Sequence, residues 1–314
     1  MWQLAQYESQ EAQGQNLKIG IIQPKLQRED SLDRLYSMTE ELVAQNPSVD
    51  VLVWPEFPTA FSYVGNRQDR MKVNKLIAKL NKPMVIVSGY NYGRGVDPDN
   101  PLSRYFNTAH LIDQNRALKA NYSKQILVPF FEYIPNENTF PFLRKLFPDT
   151  HRYVPGSQTT LFHLDDDVRL IPLICYEVVF PAMTQDFIEK GGNIIINLTN
   201  DIWLGDTKGS IYHFAMGLFR TIEHRVPLVR ATNSGISGSV SAAGVIKQDS
   251  LTAVQSQDMR VYDVIIPAER SFYSRHGNVF LAVLVLIFLL GLFGKSLSIL
   301  LTKLDPRPGA KTLN

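Results

Sequence analysis

Apolar residues in this chain fall into two alternating kinds of run. Short, nearly continuous runs predict buried strands at Lys18–Gln23, Val51–Trp54, Met84–Gly89, Arg169–Cys175 and Asn193–Leu198. Further strands are predicted at Phe106–Asp113, Pro227–Thr232, Gly238–Ser241 and Val261–Ile266. Between them lie stretches with helical spacing. Leu32, Leu35, Met38 and Leu42 mark a helix over Ser31–Gln45 with Ser31 as its N-cap. Met71–Leu80, Ala182–Lys190 and Ile211–His224 predict three more. Helices alternating with strands that are apolar throughout predict an α/β layered domain whose sheets are covered on both faces. No internal repeat or low-complexity linker interrupts the pattern before Ser271.

The C-terminal region follows a different pattern. Val279 to Gly294 is wholly apolar or Gly, Lys295 follows, and a mostly apolar stretch continues to Leu301. The clean run is shorter than the ~20 residues that span a bilayer, as a buried core helix would be. It has no polar face, however, and Lys295 can snorkel, so a membrane helix is the stronger expectation. Lys303, Arg307 and Lys311 suggest a cytoplasmic tail, with Arg270 and Arg275 opposing that orientation on the other flank. Met1 to Gln15 is polar and lacks the basic start and apolar run of a signal peptide. The expected organisation is a polar N-terminal segment (residues 1–16), one catalytic domain (17–270), and a C-terminal membrane helix and tail (271–314).

Composition narrows the function. Of 314 residues, 45% are hydrophobic and 20% charged, the balance of a chain that buries a full core. A net charge of +2 without a Lys/Arg block gives no reason to expect a nucleic-acid partner. The single cysteine, Cys175, rules out an internal disulfide. The six histidines are scattered and form no zinc-ligand spacing.

Three segments place a reactive residue beside an apolar run. Glu56 follows the Val51–Trp54 strand among Trp54, Pro55, Phe57 and Pro58. Most loop glutamates are unremarkable, but a carboxylate among aromatics and prolines is poorly hydrated. Its raised pKa would suit a general base. Lys124 precedes the apolar stretch to Phe131, and Glu132 lies eight residues on. Taken alone, a surface lysine whose stem covers apolar area is the better reading. A lysine that stabilises an oxyanion would nevertheless need the same partly dry setting. Cys175 ends a strand and leads through Tyr176 and Glu177 to Pro181 and a helix. It is either a buried structural cysteine or a nucleophile presented at the rim of a sheet.

Together these segments resemble the nitrilase (carbon-nitrogen hydrolase) superfamily, whose members use a Glu–Lys–Cys triad in an αββα sandwich. The similarity is greatest to the apolipoprotein N-acyltransferase branch. It rests on Trp54-Pro55-Glu56, on Lys124 through Leu127-Val128-Pro129-Phe130 to Glu132-Tyr133-Ile134-Pro135, and on Ile174-Cys175-Tyr176-Glu177 with Phe180-Pro181. Asn197–Asp201 with Trp203 and Gly205, Phe219-Arg220 with Ile222-Glu223, and Pro227–Asn233 with Gly235–Ser237 extend it over about residues 17–300. One departure is Phe131, where the branch usually has Gly. Another is the branch's leading multi-helix membrane domain, which has no counterpart in these residues. The chain is then a fragment, half of a split enzyme, or a shortened relative.

The resemblance implies Glu56, Lys124 and Cys175 as catalytic residues, with Glu132, Tyr176 and Glu177 in support and no cofactor or metal. It implies a phospholipid acyl donor, a lipidated protein acceptor and a membrane setting. That setting would be the bacterial inner (cell) membrane, with the catalytic domain on the periplasmic side. Trp54, Phe57, Phe130, Phe131 and Trp203 are expected to make the site apolar. Two other readings compete: a stand-alone amidase or nitrilase, and one subunit that needs a separate multi-span partner.

Overall fold

A computed structural model describes residues 14–27, 32–56, 61–80, 84–92, 104–205, 207–247 and 249–304, with side chains described to Phe293. By their contacts the residues divide into two units, Met1–Ser271 and Phe272–Asn314.

The first unit holds two sheets. Its strands are β1 (Gln15–Gln23), β2 (Val51–Val53), β3 (Met84–Tyr92), β4 (Tyr105–Ile112), β5 (Leu118–Ser123), β6 (Phe162–His163), β7 (Arg169–Ile174), β8 (Ile194–Thr199), β9 (Leu228–Thr232), β10 (Gly238–Val240) and β11 (Asp258–Ile266). Its helices are α1 (Asp33–Gln45), α2 (Arg67–Leu80), the single turn α3 (Leu143–Leu146), α4 (Pro181–Glu189) and α5 (Gly209–His224). One sheet runs β11-β1-β2-β3-β4-β5 and the other β10-β9-β8-β7-β6. The neighbours β1/β2/β3 and β7/β8/β9 are parallel, and the outer pairs are antiparallel. Parallel neighbours need a crossover, and α1, α2, α4 and α5 supply the four.

Strand parity decides what each sheet face covers. Ile19, Ile21, Val51, Val53, Ile86 and Leu111 join the strands of the second sheet in one central core. Their alternates Ile22, Leu52, Val85, Val87 and Ile112 pack with Leu35 and Leu42 of α1 and Val73, Leu76 and Ile77 of α2. Gly20 sits where α1 comes closest: a Cβ there would lie 2.9 Å from Leu42 and 3.0 Å from Leu52. On the second sheet, Phe187 and Ile188 of α4 and Phe214 of α5 close the other side. The result is the expected αββα layering.

The differences from expectation are local. Helix α2 begins a turn before Met71, because the Asn66 side chain accepts from the Gln68 and Asp69 N–H groups and caps a first turn with no apolar residue. The expected cap of α1, Ser31, lies outside the described residues, and Leu32 occupies the N-cap position. Strand β5 was unexpected: only Tyr122 on it is fully buried, so its period is faint.

In the second unit, α6 (Phe272–His276) is followed by α7 (Val279–Leu304). Helix α7 realises the apolar run, and its large described side chains are exposed, including every one from Val283 to Leu290. Among the described residues no helix is long and apolar enough to cross a membrane, so the expected membrane span is not supported.

Candidate active site

Three strand ends converge at one end of the central core. Glu56 lies just beyond β2, Lys124 directly after β5, and Cys175 directly after β7. β2, β5 and β7 all leave their sheets at this end, where ligands bind in helix-covered sheets. The cavity there has a volume of about 400 Å3, and Glu56, Lys124, Glu132 and Cys175 all line it.

Glu56 is aimed by its hydrogen bonds. Asn107 Nδ2 donates to Oε1 at 2.6 Å and the Asn200 N–H to Oε2 at 3.1 Å. Burial raises the Glu56 pKa above the usual carboxylate value, Lys124 opposes the rise and Glu132 adds to it.

Lys124 is only 1% exposed. Its N–H donates to Asn107 O at 2.8 Å, and its carbonyl accepts from the Gly156 N–H at 2.7 Å. Nζ donates to Glu132 Oε1 at 2.8 Å and stands 3.8 Å from Glu56 Oε1. Glu132 is itself fixed, since its Oε2 accepts from the Val128 N–H at 2.8 Å. Burial disfavours the ammonium, but Glu56, Cys175 and Glu132 outweigh it and raise its pKa. The surface-lysine reading is excluded: this is a buried cation held between two carboxylates.

Cys175 opens a 3-10 turn, Cys175–Val179, with φ +52°. A left-handed backbone costs a residue with a side chain about 1–2 kcal/mol, so neighbouring contacts must hold it. Burial and the Glu56 charge push the thiol pKa up, with Lys124 opposing. The resting sulfur is therefore protonated, unlike a thiolate poised at a helix N-terminus.

Glu177 joins the two sheets. Its Oε1 accepts from Tyr122 Oη, the Gln125 N–H and the Ile126 N–H, and its Oε2 from the Ile174 N–H. Burial pushes its pKa up to about 7, and the backbone donors and Lys124 keep it from rising further. Tyr176 is different: its ring is partly exposed, packs edge-on against Phe180, and is not among the residues lining the cavity.

The expected apolar wall is only partly present. Phe131 and Trp203 line the cavity with ring centroids 5.9 Å apart. Trp54 does not. It is fully buried in the layer under α1, where Nε1 donates to Thr39 Oγ1 at 3.1 Å. Parity explains this, because Trp54 shares the phase of outward Leu52 rather than inward Val53. Phe130 packs on Phe147 and does not line the cavity, and Phe57 lies outside the described residues. Tyr90, His151 and Tyr153 complete the wall instead.

A family model for the carbon-nitrogen hydrolases matches residues 12–254. The chain belongs to the carbon-nitrogen hydrolase family. An apolipoprotein N-acyltransferase of Brucella suis is 33% identical over 291 residues, covering 87% of this chain and 52% of that protein. One from Geobacter metallireducens is 28% identical over 276 residues, covering 85% and 51%. The chain thus spans about half the length of the curated relatives it matches. Among solved structures, Nit3 of Saccharomyces cerevisiae, a member of branch 10 of the nitrilase superfamily, aligns with a TM-score of 0.59 at 15% identity, covering 81% of this chain and 91% of Nit3. An amidase of Nesterenkonia sp. AN1, carrying acrylamide on its active-site cysteine, aligns at 0.60 and 19% identity, covering 85% and 98%. These likenesses establish a nitrilase-like α/β fold.

Sequence reasoning missed several polar residues that shape this carbon-nitrogen hydrolase site. Asn107 lies mid-strand on β4 and gave no signal in a run read only for its period. His213 was counted among scattered histidines, yet its ring reaches the carbonyl of Cys175. Asn197, Asp201 and Arg230 stood inside motif segments with no role attached.

Proposed function

We propose that this protein is an acyltransferase of the apolipoprotein N-acyltransferase type, moving a phospholipid acyl chain through a Cys175 thioester to the N-terminal amine of a lipoprotein. The observation that carries the reading is the meeting of Glu56, Lys124 and Cys175 on one cavity wall. The N-acyltransferase names of its relatives support the choice of reaction.

Because burial keeps Cys175 protonated, attack and proton removal must be coupled. Sγ bonds to the ester carbonyl carbon as Glu56 takes the thiol proton. The ammonium of Lys124 stabilises the oxyanion, with a backbone N–H beside Cys175. Collapse expels the lyso-lipid alkoxide, which receives the proton from Glu56 and leaves the thioester. The acceptor amine then adds to the thioester carbonyl, Glu56 takes the amine proton, and the departing thiolate recovers it. Glu132 holds Lys124 in place, and Glu177 locks the turn that carries Cys175. Phe131 and Trp203 give the cavity an apolar lining, a setting that favours amine over hydrolysis once lipid covers it.

Helix α7 belongs to the same proposal as a lipid contact, because its exposed large side chains are apolar on all sides. A bilayer is the natural source of the acyl donor. A separate multi-span subunit is a further partner in this scheme.

The test is an intact mass after incubation with a fluorescent phospholipid, followed by competition between a diacylglyceryl-cysteine peptide and water. A hydroxylamine-sensitive adduct absent from Cys175→Ala, then N-acyl peptide, is expected. Free fatty acid as the sole product, in detergent and in membranes containing a multi-span partner, would replace this reading with the amidase one. Efficient hydrolysis of small amides without lipid would do the same.

A further inference from the structure

Behind the nucleophile lies a buried polar cluster that the acyl-transfer steps do not use. Asp201, Asn197 and Arg230 have almost no exposed surface, and His213 on α5 closes the cluster. Arg230 organises it. Nη2 donates to Asp201 Oδ2 at 2.8 Å and to His213 Nδ1 at 3.0 Å, while Nη1 donates to Asn197 Oδ1. Both aimed side chains end on one atom, the carbonyl oxygen of Cys175. His213 Nε2 lies 3.2 Å from it and Asn197 Nδ2 3.3 Å.

Nδ1 lies 3.0 Å from Arg230 Nη2, from which it can accept, and 2.9 Å from Asp201 Oδ1, to which it can donate; the bond to the Cys175 carbonyl requires a ring proton on Nε2. Burial and the Arg230 charge lower the His213 pKa, which favours the neutral form. Protonation would turn Nδ1 into a donor towards Asp201 Oδ1, 2.9 Å away, and leave the bond to Cys175 intact.

We propose that His213 is a positioning residue for the nucleophile: with Asn197, it clamps the Cys175 carbonyl and so holds the left-handed backbone that presents Sγ to Glu56 and Lys124. The ring faces the carbonyl oxygen, so it acts through the peptide unit of Cys175 and takes no proton from the thiol. The proposal rests on the reading of Cys175 as nucleophile. Its logic is that of supporting hydrogen bonds elsewhere: a reactive atom is only as well placed as the backbone that carries it.

The chain has one cysteine, so alkylation by iodoacetamide reports on Sγ alone and needs no acyl donor. Two variants separate the bond from packing. In His213→Asn the shorter amide stays near Arg230 and Asp201 but cannot reach the Cys175 carbonyl. In His213→Gln the longer amide places a donor near the Nε2 position. For the Asn variant we expect alkylation and kcat each to fall about tenfold with KM unchanged, the loss of one buried hydrogen bond to the reacting residue. The Gln variant should recover to within about threefold of wild type. Rates for Asn within about twofold of wild type, or equally slow rates for Asn and Gln in proteins that melt alike, overturn the clamp. Cys175→Ala that still forms an acyl adduct overturns the nucleophile reading instead. The alkylation contrast between Asn and Gln stands apart from that outcome.

Discussion

Replacing Glu132 with Gln tests the charge arrangement around Glu56. In wild type the Lys124 ammonium is held 2.8 Å from Glu132 and 3.8 Å from Glu56. With Glu132 neutral, the ammonium turns to the one carboxylate left, closing to about the distance it now keeps with Glu132. At an effective dielectric of about 20, that closure strengthens the Lys124–Glu56 attraction from about 4 to about 6 kcal/mol. The difference corresponds to about one pK unit. The loss of a like charge beside Glu56 acts in the same direction. The Glu56 pKa therefore falls, and the ionised base persists to lower pH. The acid limb of kcat/KM, measured from pH 4 to pH 9 with phospholipid donor and diacylglyceryl-cysteine peptide, should move down by about one unit or more. On the plateau kcat should fall about 10²-fold, because the ammonium has left the oxyanion position and the base is weaker. Removing one member of a buried ion pair should also cost about 3 kcal/mol in urea unfolding, the low end of the range because Lys124 keeps Glu56. An acid limb that stays in place or moves up would refute the electrostatic reasoning, as would kcat within about threefold of wild type.

Other substitutions probe separate features. Lys124→Arg should reduce turnover more than about 10²-fold, since a planar fork cannot replace a point donor in a site with so little exposed surface. Stability should fall by only about 1–3 kcal/mol for overpacking, and turnover within a few-fold of wild type would dismiss the oxyanion role. Gly235→Ala should destabilise by about 2 kcal/mol or more, because a Cβ there overlaps the Asp201 carboxylate; unchanged denaturant midpoints would show that the loop has room to move. Deleting α7 should release the protein from membranes washed with alkaline carbonate, and equal retention with and without it would place the lipid contact elsewhere.

The layered fold was legible because strand and helix periods are clean where the core is apolar. Glu56, Lys124 and Cys175 each stand near an apolar run, but the pattern alone left Lys124 on the surface and Cys175 open, and only the family resemblance joined the three. The burial of Lys124 could not be read, since nothing local distinguishes a lysine between two carboxylates from one lying on the surface. Glu132, eight residues on, is brought back to it by the turn at Phe130, where φ is +61°. Trp54 was misplaced because β2 is short and its phase continues past its end. The Asp201–Arg230–His213 cluster draws its members from three separate segments, and only the crossover geometry of β8, α5 and β9 brings them together.

Glu177 has a consequence for how the protein matures. Lys124 belongs to the first sheet and Cys175 to the second, and the two sheets are built largely from successive halves of the chain. The one carboxylate that binds the Gln125 and Ile126 amides also binds the Ile174 amide, so it finds all its donors only after the halves have docked. Before then its partners are at most those near it in sequence. The setting of the thiol, buried in the cavity beside Glu56 and Lys124, is thus a late event, reached in the step that joins the sheets rather than in the folding of either one. A nascent chain on the ribosome would carry Cys175 as an ordinary open thiol until that step, and the change in its alkylation rate during refolding would time the docking itself.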